Sequence, residues 1–293
     1  MMKKLCKVIV IILGIALLIL CIGYFYGSRH FIVRSTELSF TDLPDRYDGL
    51  RIVQFSDFHA GAFHLGHESD VREIVDLINS QHPDVIVFTG DIVTQSSHEL
   101  DGFEDALSSL SAPYGVYSVM GNHDYALYNH GWSERKKAED VALLQSKEKM
   151  MGWHLLLNDN AEIDEGLYII GVENQGMALR FPKKADMKRA MKNVPEDAFK
   201  ILLSHDPTHW HNGVTDSTNI QLTLSGHTHS GQFRLFGWSP VSWVYDEWNG
   251  VYRDSAQVLH VSSGVGCVPV PMRIGAWPEI NVIILRKKVL NFK

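Results

Sequence analysis

Short apolar bursts recur along this chain, and five of them run straight into a cluster of Asp, Asn or His. Arg51 to Phe55 leads into Ser56-Asp57-Phe58-His59, Asp84 to Thr89 into Gly90-Asp91, and Gly115 to Met120 into Gly121-Asn122-His123-Asp124. Phe199 to Leu203 leads into Ser204-His205, and Ile220 to Leu224 into Ser225-Gly226-His227-Thr228-His229. A sixth burst, Leu167 to Gly171, has no such cluster after it. Short runs rich in Ile, Val and Leu suit strands buried on both faces. Between the first three, the apolar period changes: Val71, Ile74, Val75 and Ile78 keep i, i+3, i+4, i+7 spacing, as do Leu100, Phe103, Leu107 and Leu110. Helices are expected there. A β-α-β-α-β order gives an α/β fold with parallel strands and helices on the sheet faces, and taken alone it suggests one doubly wound sheet. In such sheets ligands bind beyond the C-terminal ends of the strands, where all five polar clusters fall.

Those clusters have a definite chemistry. Asp, His and Asn without Cys form a donor set for Mn²⁺, Fe or Zn²⁺. Cys6 and Cys21 lie in or beside the first apolar run, which leaves Cys267 alone in the remainder, with no disulfide or Cys-rich zinc site. If Asp57-x-His59 and His227-x-His229 are extended, alternation points both ligands of each pair to one side. Glycine at 90, 121 and 226 is expected to permit tight turns and close backbone approach at the strand ends.

The first thirty residues are of another kind. From Val8 to Ile22 no charge interrupts an Ile-, Leu- and Val-rich run, and Gly23, Tyr24, Phe25 and Tyr26 extend it. About 20 apolar residues cross a bilayer core of roughly 30 Å. Lys3, Lys4 and Lys7 ahead of the run favour an N-terminus held in the cytoplasm and a domain on the exported side. The alternative is a cleaved signal and secretion, but no small-residue cleavage pattern follows the run, and the Leu before Cys21 suits a lipoprotein site poorly. The expected division is an anchor over residues 1–30 and one domain over 31–293. Five of the 27 basic residues, Lys3, Lys4, Lys7, Arg29 and Arg34, precede the first acid, Glu37, which leaves 22 basic against 34 acidic residues beyond them. Nucleic acid is a poor match for a domain of that balance.

Taken together and in order, Asp57-x-His59, Gly90-Asp91, Gly121-Asn122-His123-Asp124, His205 and Gly226-His227-Thr228-His229 resemble the calcineurin-like metallophosphoesterase superfamily, its small membrane-associated bacterial branch in particular. The likeness covers about residues 50 to 230. It implies a four-layer α/β/β/α sandwich, two sheets between helices, in place of the single sheet drawn from periodicity. It also implies two divalent metal ions, one held by Asp57, His59, Asp91 and His229 and the other by Asp91, Asn122, His205 and His227, with Asp91 shared. The activity implied is hydrolysis of a phosphomonoester, phosphodiester or pyrophosphate, water being activated by metal binding for attack on phosphorus. His123 would then serve as general acid or stabilise phosphoryl charge, and Asp124 would orient its ring. Many relatives carry a second Asp shortly after Gly-Asp, whereas this chain reads Gly90-Asp91-Ile92-Val93-Thr94.

Two further functions compete. A catalytically silent, membrane-tethered metal-binding module needs no non-ligand His123, and a nuclease is disfavoured by the acidic domain. Hydrolysis of a lipid-linked pyrophosphate is the narrower substrate alternative. Outside the motifs, His64, His67, His209 and His211 are expected at the surface, with His209 and His211 near enough to line the site. Arg273 is expected at the surface, phosphate contact being its lesser alternative. The stretch holding Phe233, Phe236, Trp238, Trp243, Tyr245, Trp248 and Tyr252 is expected to be a hairpin packed on the domain, or else an apolar lip meeting lipid.

Overall fold

The computed structural model describes residues 2–64, 66–178 and 181–288. Helix α1 (Met2–Phe25) is followed by β1 (Ile32–Phe40), β2 (Arg51–Phe55), α2 (Glu68–Asn79), β3 (Val85–Phe88), α3 (Glu104–Leu107), β4 (Val116–Ser118) and α4 (Glu134–Met150). Then come β5 (His154–Leu155), β6 (Asp159–Asp164), β7 (Leu167–Gly171), α5 (Met187–Ala190), β8 (Phe199–Leu203), α6 (His209–Gly213), β9 (Leu222–Ser225), β10 (Gly250–Asp254), β11 (Gln257–Val261) and β12 (Glu279–Lys287).

The strands form two six-stranded sheets, ordered β1-β12-β2-β3-β4-β5 and β10-β11-β9-β8-β7-β6. In the first, β2, β3, β4 and β5 run parallel, while β12 pairs antiparallel to β2 and parallel to β1. In the second, β7, β8, β9 and β11 are parallel, with antiparallel β6 and β10 at the edges. Three apolar layers explain the stacking. Ile52, Val85 and Val87 from one sheet meet Leu167, Ile201 and Leu222 from the other between the sheets. The opposite face of the first sheet packs Val53, Phe55 and Ile86 against Val71, Ile74 and Leu144 of α2 and α4. The outer face of the second packs Ile170, Leu202 and Leu259 against Ala190 and Trp210 of α5 and α6. The fold is thus the four-layer α/β/β/α sandwich, preceded by one apolar helix long enough to cross a membrane.

Two expectations from periodicity change. The doubly wound sheet becomes two sheets because the bursts after residue 160 pair with one another instead of extending the first sheet. The Leu100 to Leu110 pattern forms only a four-residue helix, since Gly102 sits at φ +92° and breaks the run. The α2 pattern forms as expected, with Val71, Ile74, Val75 and Ile78 all buried.

Candidate metal centre

Just past the C-terminal ends of β2, β3 and β4 of the first sheet lie Asp57 and His59, Asp91, and Asn122 and His123; just past those of β8 and β9 of the second lie His205, and His227 and His229. The topology brings them to one edge. Asp57, His59 and His229 place donor atoms within 4.8 Å of one another, and so do Asp91, His205 and His227. Asp91 faces both trios, its Oδ2 lying 3.1 Å from His205 Nε2 and 3.8 Å from His59 Nε2. Asp57 Oδ1 lies 3.3 Å from His229 Nε2.

The backbone reaches this arrangement by strain rather than by extension. Asp57, His59, Asp91, His227 and His229 all have positive φ, between 49° and 74°. Left-handed geometry at a non-glycine residue costs on the order of 1–3 kcal/mol and persists where the surroundings hold it. The alternation expected of Asp57-x-His59 and His227-x-His229 is therefore replaced by tight reversals that aim each side chain separately. The glycine expectation holds on close approach: a Cβ on Gly121 would lie 2.2 Å from Asp91 Oδ1, and one on Gly226 would lie 2.0 Å from Ser56 Oγ.

Partners outside the cluster assign the imidazole nitrogens. His205 Nδ1 donates to the Thr89 carbonyl at 2.7 Å, which turns its Nε2 into the site. His227 meets Tyr245 Oη through Nε2 at 2.8 Å, leaving Nδ1 facing His205 Nε2 at 3.2 Å. His59 Nδ1 lies 3.3 Å from the Thr94 hydroxyl, with its Nε2 3.1 Å from His229 Nε2. The His227 backbone N–H donates to both Asp57 oxygens, at 3.0 and 3.1 Å, and so joins the two sheets.

Burial alone would raise the carboxyls of Asp57 and Asp91, but neighbouring imidazoles, His229 and His205 respectively, hold both below the usual carboxylate range. Burial opposes charge on His205 too, yet Asp91 beside it raises the imidazole to about 10. Burial lowers His59, with His229 adding to the effect, and burial also lowers His227. Ring nitrogens face one another at 3.1 Å, His59 against His229, and at 3.2 Å, His227 against His205, beside two buried carboxylates, so that several metal-donor atoms converge. Asn122 adds a buried Oδ1 with no hydrogen-bond partner, while its Nδ2 donates to Tyr128 Oη at 2.8 Å. Cations fit such a set.

The remaining expected residues fall as follows. His123 stacks on Tyr128 with centroids 4.2 Å apart, and its Nδ1 donates to the Thr94 carbonyl at 2.7 Å. Asp124 instead accepts the backbone N–H groups of Asp91, Gly121 and Val93, bracing the loop that carries Asp91. The orienting contact on the His123 ring comes from Thr94, in the stretch where a second Asp is lacking. Arg273 is not at the surface. It is fully buried, donating from Nε and Nη2 to the Gly266 carbonyl, from Nη2 to that of Ser263 and from Nη1 to that of Ala276, with Nη2 3.3 Å from His229 Nδ1. His209 is also buried, 2.9 Å from Ser204 Oγ, and burial lowers its imidazole to about 4. His211 pairs with Glu247 at 2.8 Å. The aromatic stretch is a pair of irregular turns rather than a single hairpin, with a bridge between Leu235 and Trp238 and a 3₁₀ turn at Pro240–Trp243. Sequence reasoning missed Thr94, Tyr128 and Asp206, whose buried Oδ2 lies 3.5 Å from His227 Nε2; only the adjacency of Asp206 to His205 was there to signal it.

A family model described as calcineurin-like phosphoesterase matches residues 50–231. The metallophosphoesterase YkuE of Bacillus subtilis is 30% identical over 279 residues, covering 90% of this chain and 89% of its own. A "transmembrane protein with metallophosphoesterase domain" from Danio rerio is 30% identical over 266 residues, 87% of this chain, which spans only 57% of that protein's length. A solved dimetal phosphatase, also from Danio rerio, aligns over 76% of this chain and 90% of its own at 13% identity and TM-score 0.47. The family match spans every strand end that carries the two trios, and with the Bacillus relative aligned along nearly its whole length, the chain belongs to the calcineurin-like phosphoesterases.

Proposed function

We propose that this chain is a membrane-anchored hydrolase of phosphoester bonds that works with two divalent metal ions, residues 1–30 forming the anchor and 31–293 the catalytic domain. The observation that carries the reading is the buried Asp91 carboxylate, a member of one trio that also lies 3.8 Å from His59 of the other. Asp57, His59, Asp91 and His229 hold one ion, and Asp91, Asn122, His205 and His227 the other, with Mn²⁺, Fe or Zn²⁺ the candidates by donor type. When bound, such ions supply positive charge to the phosphoryl oxygens and make water more acidic.

The chain's own residues then have separate tasks. Asp91 and Asp57 balance charge at the floor of the site. His123 is not among the ligands; Thr94 fixes its ring through Nδ1, leaving Nε2 free to deliver a proton to the leaving oxygen or to share phosphoryl charge. Tyr128 holds that ring from one face and the Asn122 amide from its edge. Asp124 keeps the Asp91 turn in its strained form.

Lys3, Lys4 and Lys7, in the first turns of α1 ahead of its apolar run, support a cytoplasmic N-terminus and an exported domain. A small or lipid-borne phosphoester suits the acidic domain better than nucleic acid does. The test is hydrolysis of p-nitrophenyl mono- and diesters by the full chain, stripped with chelator and reloaded with Mn²⁺, Fe²⁺ or Zn²⁺. Restored turnover supports the hydrolase reading. Full reloading without turnover on any ester favours the silent metal-binding module.

A further inference from the structure

Helix α1 is seated on the domain rather than tethered to it. A Cβ on Gly23 would lie 2.6 Å from Ile274 Cγ1, and one on Gly27 would lie 1.9 Å from the Arg273 carbonyl oxygen, so both glycines let the helix end press against segment 272–277. The Arg273 N–H donates to the Gly23 carbonyl at 3.1 Å. Tyr26 stacks on His30, and both rings meet Trp277 edge-on. The point where the helix leaves the apolar phase is thereby fixed against the loops at the metal edge.

The aromatic stretch lies beside that seat. Phe233 pairs with Ile274, and the Arg234 N–H donates to the Ile274 carbonyl at 2.7 Å. From there the chain runs from Leu235 to Tyr245 without a charged residue. It exposes Leu235, Phe236, Trp238, Trp243 and Val244, with Trp243 78% and Val244 77% accessible. Trp238 and Trp243 touch, with ring centroids 5.3 Å apart, so these residues include a continuous aromatic surface rather than scattered apolar side chains only. The segment is tied to the metal edge at its middle, where Ser239 Oγ donates to the Ser230 carbonyl at 2.7 Å, and at its far end, where Tyr245 meets His227 at 2.8 Å.

We propose that segment 235–244 beds in the interface of the bilayer that α1 crosses, turning the metal edge toward the membrane, and that the substrate is a phosphoester carried on a lipid chain. Trp and other amphipathic rings favour that interface, and the fixed seat of α1 holds the segment beside it. The substrate half rests on the hydrolase reading above; the docking half does not.

The test uses the full chain in phosphatidylethanolamine and phosphatidylglycerol nanodiscs, with and without brominated phosphatidylcholine. Bromolipid should quench a large share of the tryptophan emission, and Trp238→Phe plus Trp243→Phe, which keeps the apolar surface, should remove most of that share. Quenching that is absent or unchanged by the pair overturns the docking. The second arm compares hexadecyl p-nitrophenyl phosphate with methyl p-nitrophenyl phosphate, which share a leaving group and differ in the chain. Phe236→Ser plus Trp243→Ser, both at exposed positions, should lower kcat/KM on the hexadecyl ester by roughly tenfold and leave the methyl ester within about twofold. Equal loss on both esters, or loss on neither, overturns the lipid substrate. If the reloaded wild type hydrolyses neither these diesters nor p-nitrophenyl phosphate itself, the hydrolase reading falls and the substrate half with it; turnover of p-nitrophenyl phosphate alone overturns the lipid diester and keeps the hydrolase reading, while quenching decides the docking in either case.

Discussion

The two sheets bring different chemistry to the shared edge. The first supplies both carboxylates and the amide, Asp57, Asp91 and Asn122, with a single imidazole of the proposed set in His59, and all four are buried. The second supplies only imidazoles, His205, His227 and His229, of which His227 is partly exposed at the rim. Neither set is a site alone. A cluster of two buried carboxylates repels itself, and a cluster of imidazoles lacks the charge to hold a divalent cation strongly. The sheets are interlocked at this edge, the second giving the His227 N–H to Asp57 and His205 Nδ1 to the Thr89 carbonyl. Dividing the ligands between two layers makes the centre depend on how the sandwich is packed.

The sharpest way to break this comparison is Asp91→Ala, since the Asp91 carboxylate lies 3.1 Å from His205 of one trio and 3.8 Å from His59 of the other. Turnover is expected to fall by about 10³-fold, the upper end for removal of one charge-stabilising group. Steady-state assay at saturating metal checks it, and a loss no greater than that of His59→Ala would deny Asp91 its shared position. His123→Ala comes next. It should keep its metal and its fold yet lose roughly 10²-fold in kcat, as removal of a general acid does. Metal analysis beside the assay separates the two roles, because an emptied site would make His123 a ligand.

On the second-sheet side, Tyr245→Phe removes only the hydroxyl on His227. About tenfold weaker metal binding is expected, in line with the loss of an outer-shell partner, and competition with a chelator of known affinity measures it. Unchanged affinity would leave the rim imidazole independent of the aromatic segment.

The smallest effect lies behind the first sheet, where burial raises Glu148 from 4.5 to about 7 beside Ser118. A carboxyl raised on folding favours the fold fully below its unfolded value and loses that contribution as pH rises toward 7. Glu148→Gln should therefore flatten the fall in melting temperature between about pH 4.5 and pH 7, by an amount on the order of 3 kcal/mol at most. Parallel slopes for wild type and variant would contradict the buried, protonated carboxyl.

The convergence of the proposed ligands was legible because Asp, Asn and His stood at the ends of apolar bursts, and each burst is a buried strand or its edge. The layering followed from the family resemblance and was not legible in the periodicity. Leu167 to Gly171 and Phe199 to Leu203 read like further strands of one parallel sheet, and only side-chain packing between Ile52, Val85 and Leu222 separates two layers. Helix α4 was missed because Glu134 to Met150 is mostly charged and shows no clear apolar stripe. Thr94 acts on His123 through a backbone carbonyl, which no residue type announces. Arg273 was misplaced because a lone Arg between Pro271-Met272 and Ile274-Gly275 gives no sign that three carbonyl groups will enclose it.

The central claim, two ions shared between two sheets through Asp91, is tested most directly by counting metal. Purified full chain would be stripped, equilibrated with saturating Mn²⁺ and dialysed, and its metal content measured beside His59→Ala, His205→Ala and Asp91→Ala. Two ions per chain are expected for wild type, one for either histidine variant, and fewer than one for Asp91→Ala. A wild type that holds no more than one ion, or an Asp91→Ala that still holds two, would contradict the account.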